Sequence, residues 1–235
     1  MSSSIESEPK LGFYTAIYTP TFLSLIYNVL VSFNFKCMWH CHMDHVLEHF
    51  FAESLSRRHL DIGVATGYLP AKALSRPFRK GAKHSITLVD LNPSSLNNAK
   101  SRILSVATNA TVDIAVADVT QPAPELLQGS KFDSISMFNL FHCVPGKEKV
   151  VAFKTYKEFL ADNGVMVGCT VLGESYTTNW FNYQYLKLYN HLGIFNNWED
   201  KKEDFERALR ENFEEVEITM VGMVVLWRAS KPRRS

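Results

Sequence analysis

The chain has 235 residues, of which 46% are apolar and 21% charged, with a net charge of +1. That is enough for a full α/β core, and the balance argues against a nucleic-acid partner, which would demand a basic stripe to neutralise phosphates. The one basic run, Lys231, Arg233 and Arg234, reads as a solvated tail.

Residues 1–10 are polar and read as a frayed end. Leu11 to Phe35 carries no charge and is long enough to span a bilayer. Thr15, Thr19, Pro20, Thr21, Ser24, Asn28, Ser32 and Asn34 lower its hydropathy, so no stable membrane insertion is expected. It also lacks the basic start and small-residue cleavage site of a secretory leader, and the expected location is cytoplasmic. Residues 1–56, aromatic-rich and helical in spacing, are expected to form a helical cap on a core of residues 57–235, the whole forming one domain.

Within the cap, Cys37, Cys41, His45 and His49 recur every fourth residue. On one straight helix they would be strung over roughly 18 Å and could not surround one ion, so no metal is expected. The four cysteines, Cys37, Cys41, Cys143 and Cys169, form no spaced framework; they are expected to be free thiols in a reducing compartment.

From residue 57 apolar runs alternate with helical periodicity. The runs are His59–Ala65, Ser85–Leu91, Val112–Val119, Phe132–His142 and Gly164–Leu172. The helical stretches are Leu69–Arg79, Ser94–Val106, Lys147–Leu160, Asn179–Leu192 and Asp200–Asn212. This order predicts a parallel sheet wound on both faces. Val216–Val221 and Met223–Arg228, separated by Gly222, predict a terminal hairpin with at least one antiparallel strand. The expected fold is therefore a Rossmann-like, doubly wound, seven-stranded α/β sheet, mostly parallel, with a C-terminal antiparallel hairpin.

Small residues at Gly63, Ala65 and Gly67 follow the first run and allow a tight turn with close backbone approach to a ligand. Asp90 ends the second run, placed for vicinal ribose hydroxyls, and Asp118 ends the third, suited to an adenine amine. The Gly-x-Ala-x-Gly spacing is not the pyrophosphate turn of dinucleotide enzymes, which favours a nucleoside cofactor without phosphates.

These residues resemble class I S-adenosylmethionine-dependent methyltransferases, especially small microbial and fungal ones of natural-product pathways. The likeness runs from about residue 14 to 228. It rests on Tyr27, Trp39-x-Cys41, His59-Leu60-Asp61-x-Gly63, Leu88-Val89-Asp90-Leu91-Asn92, Phe132-Asp133-Ser134, His142-Cys143-Val144-Pro145-Gly146, Asn190-x-x-Gly193-Ile194-Phe195-Asn196 and Val225-Leu226-Trp227. The resemblance implies S-adenosylmethionine as cofactor and S-adenosylhomocysteine as its product. It implies that Asp61, Gly63, Ala65 and Gly67 cradle the amino-acid end of the cofactor. Asp90, with Leu91 and Asn92, would take the ribose, Asp118 and Val119 the adenine, and Asn139 and Leu140 the methionine side. Tyr27 would join the cofactor site, and Tyr14, Tyr18 and Trp39 would form an aromatic lid over the substrate. His142, closing the fourth run, is the candidate general base or substrate-orienting group.

The sequence departs from the family pattern at Ala65, where a second glycine is expected, at Asn28 after Tyr27, and at His40 between Trp39 and Cys41. The expected function is methyl transfer to a small natural-product-like molecule. The departures and the aromatic cap motivate the alternative, an enzyme of this fold catalysing a pericyclic cyclisation, isomerisation or dehydration without net methyl transfer. A third reading is an adenosyl-ligand-binding regulatory subunit. No oligomer is specified.

Overall fold

The computed structural model describes residues 33–79 and 81–234. Tyr14, Tyr18 and Tyr27, and most of the expected cap, lie outside them. The strands are β1 (Arg58–Ile62), β2 (Ser85–Asp90), β3 (Thr111–Val116), β4 (Phe132–Phe138), β5 (Leu160–Val171), β6 (Phe213–Val221) and β7 (Val224–Pro232). They form one seven-stranded sheet in the order β3-β2-β1-β4-β5-β7-β6. β1 to β5 pair in parallel, while β7 lies antiparallel to both of its neighbours, β5 and β6.

Burial follows position in the sheet. β1, β2 and β4, flanked on both sides, bury nearly every residue, as strands covered on both faces must. The edge strands β3 and β6 expose much of their length and tend to alternate inside and out.

The main helices are α1 (Glu48–Ser54), α2 (Tyr68–Leu74), α3 (Pro93–Val106), α4 (Val151–Lys157), α5 (Trp180–His191) and α6 (Lys202–Asn212). One apolar cluster joins α1, α2, α3 and α5 to a face bearing Ile86, Leu88, Phe138, Val167 and Leu226. The other joins α4 and α6 to a face bearing Leu60, Ile62, Ile135, Met137 and Trp227. Trp227 anchors the second layer, stacked on Phe205 with 6.2 Å between centroids and edge-on to Phe153. It fits because Gly168 stands opposite it in register; a Cβ there would run into the indole.

Several boundaries differ from the sequence expectations. The first helical stretch stops at Leu74, and Pro77–Arg79 is a separate 3₁₀ turn, since proline cannot continue the ladder. The fourth run ends at Phe138: Asn139 takes a left-handed φ of +56°, and Phe141–Cys143 is a 3₁₀ turn. The stretch from Lys147 divides into a 3₁₀ turn at Lys147–Val150 and α4, and Leu160 already belongs to β5.

The Cys/His segment is not the straight helix expected of it. π-helical turns at Asn34–Met38 and Met43–Leu47 are separated by a break in which His40 has φ +51°. Cys41 is buried by this kink while Cys37, His45 and His49 stay exposed. Among the described residues no three His, Cys, Asp or Glu side chains gather as a metal-holding group. Nor does any described helix have the length and apolarity to cross a membrane. The kinked segment is tied to the sheet at the tip of the β6–β7 hairpin, where Met223 N–H donates to the Trp39 carbonyl at 2.9 Å.

Candidate functional site

The C-terminal ends of β1, β2 and β4 meet around one turn. Between β1 and α2 the chain alternates into the left-handed region, with φ of +74° at Gly63, +49° at Ala65 and +66° at Gly67. The two glycines are also required by space. A Cβ at Gly63 would lie 2.8 Å from the Leu140 side chain, and one at Gly67 would lie 2.7 Å from the Ala99 backbone of α3. Leu140, from the end of β4, therefore touches the turn directly.

Ala65 has no such freedom, and a left-handed residue with a Cβ costs about 1–2 kcal/mol. Ala65→Gly removes that strain but loosens the unfolded chain by about 0.5–1 kcal/mol. The net expectation is a gain of up to about 1 kcal/mol, read as a higher midpoint in urea unfolding.

The turn is braced from β2. Gly63 N–H donates to the Val89 carbonyl at 2.7 Å, and Ala65 N–H to Asp90 Oδ2 at 3.2 Å. The other Asp90 oxygen accepts from Asn92 N–H at 2.9 Å, while the Asn92 side chain accepts from Ser94 N–H and caps α3. Leu91, beside Asp90, is 62% exposed, leaving an apolar surface next to the carboxylate. Asp118 folds onto its own turn, its Oδ1 accepting from the N–H and hydroxyl of Thr120, and Val119 points into the core beside Leu127. The β3 end stays linked to the site because Ala117 N–H donates to the Asp90 carbonyl at 3.1 Å. The structure thus brings Asp61, Gly63, Ala65, Gly67, Asp90, Leu91, Asn92, Asn139 and Leu140 to one edge, with Asp118 at its margin.

Asp61 is 3% exposed and accepts from the Ser136 hydroxyl at 2.5 Å. Burial pushes its pKa up to about 7, a rise opposed by the Ser136 hydrogen bond and reinforced by the charge of Asp90. Asp90 is also raised, by burial, against the pull of the N–H groups of Asn92, Ala65 and Leu91.

His142 lies beneath the edge. It is 4% exposed, its Nδ1 is 3.2 Å from the Thr170 hydroxyl, and its ring sits 4.3 Å from that of Phe195. Burial and the nearby Lys149 charge hold its pKa down at about 3, so the imidazole is neutral. This departs from the expectation of a general base, because the 3₁₀ turn after Asn139 folds the residue inward.

Trp39 is 1% exposed and packs against Tyr185, Tyr189 and Phe195, so its ring is core in the described structure. Sequence reasoning did not single out Tyr185 and Tyr189. Their phenols bond each other, and both bond the buried Asn34 side chain, all at 2.9 Å. Their i, i+4 spacing on α5 was the available signal.

His59 and Ser134 were named only as parts of motifs, with no role of their own, and Ser136 was not singled out. The signal was present as polar residues alternating with apolar ones on two buried strands, His59-x-Asp61 and Ser134-x-Ser136. His59 is 1% exposed, and burial with the charges of Arg79 and His84 holds its pKa at about 3.

These shifts set a pH dependence for the cofactor-free protein. His59 and His142 stay neutral in the fold down to about pH 3, whereas the unfolded chain protonates both near the ordinary value of 6.5. Their depressed values cost nothing above pH 6.5 and an increasing amount below it. Asp61 runs the opposite way: raised to about 7, it holds a proton in the fold that the unfolded chain releases above 3.8. Between those limits the unfolded chain gains two protons and the folded chain one. These three groups by themselves contribute a loss of about 1.4 kcal/mol per pH unit on acidification; His84, lowered by burial, adds to it, while Asp90 and Asp200, raised by burial, oppose it. Urea midpoints at pH 6.5, 5.5 and 4.5 should fall steadily; a flat series would contradict the assignment.

Residues 60–166 match a family model described as a methyltransferase domain. The chain is 48% identical to the O-methyltransferase NEC2 of Pyricularia oryzae, covering 94% of this chain and 93% of that protein. It is 34% identical to the physcion biosynthesis cluster O-methyltransferase of Aspergillus chevalieri, over 93% and 95% of the two chains. Among solved structures, the DhpI complex with S-adenosylhomocysteine superposes with a TM-score of 0.62 at 15% identity, covering 95% of this chain and 96% of that one.

Proposed function

The chain belongs to the class I S-adenosylmethionine-dependent methyltransferases, and from that premise we propose that it moves a methyl group from S-adenosylmethionine to an oxygen of a small natural-product acceptor. The observation that carries this reading is the left-handed turn Gly63–Gly67 held between the buried carboxylate of Asp61 and the half-buried carboxylate of Asp90. S-adenosylmethionine supplies a methyl group already activated by its sulfonium.

The residues fit that cofactor. Asp61 offers an anionic acceptor for an ammonium group, and Asp90 offers two carboxylate oxygens for vicinal hydroxyls. Exposed Leu91 offers an apolar face for adenine, with Asp118 at the margin for its amine. Asn139 and Leu140 close the methionine side.

The acceptor reacts as its phenolate or carboxylate, having given its proton to solvent before transfer, so what remains is to align it and exclude water. His142 serves as a neutral orienting group: with Nδ1 beside the Thr170 hydroxyl and the Val171 N–H, the ring proton belongs on Nε2, free to donate to an acceptor oxygen. Trp39 with Tyr185, Tyr189 and Phe195 supports that side of the site, and Tyr14, Tyr18 and Tyr27 complete it in this reading.

The test is calorimetric titration with S-adenosylhomocysteine, followed by incubation with methyl-labelled cofactor and a panel of phenolic and carboxylic acceptors. Micromolar binding and label in an acid-stable ether or ester support the reading. Absence of binding in folded, cofactor-free protein overturns it.

A further inference from the structure

Beneath the cofactor turn a line of buried polar side chains crosses from β1 to β4. His59 is paired with Ser134, and Asp61 with Ser136, in parallel register. Because alternate residues share a face, all four project to the same side, while Leu60, Ile62, Ile135 and Met137 project to the other. Their exposures are 1% for His59, 3% for Asp61 and 0% for both serines. Phe51 of α1 covers the imidazole edge-on at 5.5 Å.

The contacts run without a gap. Ser56 N–H donates to Ser134 Oγ at 2.9 Å, Ser134 Oγ lies 2.7 Å from His59 Nδ1, and His59 Nε2 lies 3.0 Å from Ser136 Oγ. Ser136 Oγ then reaches Asp61 Oδ1. Donor and acceptor inventories fix the direction. Above about pH 7, where Asp61 is ionised, it only accepts, so the single Ser136 hydrogen is spent on it. The Ser136 oxygen can then only accept from the imidazole, which places the ring proton on Nε2. Nδ1 is left as an acceptor, and the Ser134 hydroxyl fills it. Every hydrogen points one way, from the backbone at Ser56 to the carboxylate at the mouth of the turn. Successive donors in a dry interior polarise one another, so the last link is strengthened by those behind it.

We propose that His59 is a positioning residue for the cofactor: through Ser136 it holds the Asp61 carboxylate in one orientation and charge state, with Oδ1 committed inward and the second oxygen left for the cofactor's ammonium. This rests on the reading that the turn binds S-adenosylmethionine. An apolar pair at positions 59 and 136 would fill the same volume, yet Asp61 would then be a buried acid with no inward donor, drawn toward its protonated form by burial and by Asp90. The charged and titratable groups around the line are Asp90 on β2, beside Asp61, and Arg79 and His84, at the His59 end.

Calorimetric titration of the full chain with S-adenosylhomocysteine from pH 6 to 9 tests this, using wild type, Ser136→Ala, His59→Leu and His59→Gln. Ser136→Ala should weaken binding about tenfold at pH 7 and move the pH midpoint of binding upward, because the donor that favours the carboxylate is gone. His59→Leu should move it the same way. His59→Gln, whose amide can donate to Ser136, should return binding to within about threefold of wild type. A merely structural role would lower thermal stability without moving the midpoint. Should His59→Leu fail to fold, Ser136→Ala, which loses one oxygen, decides alone. Wild-type affinity and midpoint in a folded Ser136→Ala protein would overturn the proposal while leaving the cofactor site intact. Failure of wild type to bind at all would overturn the cofactor reading itself, and this proposal with it.

Discussion

Asp90→Ala should weaken S-adenosylhomocysteine binding by about a hundredfold or more, the largest effect on ligand affinity expected of a single substitution in this protein. A hydrogen bond to a charged group contributes about 1.5–3 kcal/mol, and two ribose hydroxyls would lose their acceptor together. The same carboxylate also holds Ala65 N–H and Asn92 N–H, so the turn loses its brace and the β2 end loses its local cap. Asp90→Asn separates these roles. It keeps one oxygen and the shape, and should lie near a tenfold loss. Calorimetry at pH 8, with circular dichroism as the folding control, checks both. Binding within threefold of wild type in Asp90→Ala would remove Asp90 from the ribose site.

The largest expected effect on stability is that of Asp200→Ala. Lys149 is 2% exposed, and its ammonium donates to the carbonyls of Phe141 and Asn196 and to both Asp200 oxygens at 2.8 and 3.0 Å. It joins the 3₁₀ turn carrying His142 to the loop before α6. Without Asp200 a buried cation keeps two carbonyls and no counter-charge, a change that costs about 3–5 kcal/mol. For a chain of this size that is a fall in Tm of roughly 10 °C. Lys149→Met combined with Asp200→Ala should recover most of the loss, since an apolar replacement of a buried ion pair is often nearly neutral. A double variant no more stable than Asp200→Ala would show that the carbonyl contacts, not the charge pair, set the cost. Because the clamp positions the turn bearing His142, acceptor turnover should fall in Asp200→Ala while S-adenosylhomocysteine affinity changes little.

Both substitutions act at positions that differ in how far the sequence revealed them. Asp90 was legible because a strand end, a glycine-rich turn and an acid some twenty residues on are local features, and local spacing survives folding. The alternation of strands and helices, the buried character of the central strands and the closing hairpin were legible for the same reason: hydrophobic period reports directly on which faces are covered. The left-handed turn at Gly63, Ala65 and Gly67 was likewise written in residue size.

The sequence left open what depends on which strands become neighbours. That β7 inserts between β5 and β6 follows from Trp227 finding room over Gly168, a contact between residues 59 positions apart. His142 read as an edge residue because Phe138 to His142 is continuously suited to a strand; only Asn139 at φ +56° turns it into the interior, where burial and Lys149 keep it neutral. The Cys/His spacing read as one helical face until the break at His40 divided it. The line from Ser134 to Asp61 was least visible of all, since neither half means much alone. His59-x-Asp61 and Ser134-x-Ser136 become a directed chain only when parallel pairing sets β1 against β4 in that register and closes water out. Composition and period thus determined the scaffold and the cofactor edge, while the side chains that hold the edge in its working state were decided by tertiary packing, because a buried polar group is defined by partners far away in sequence.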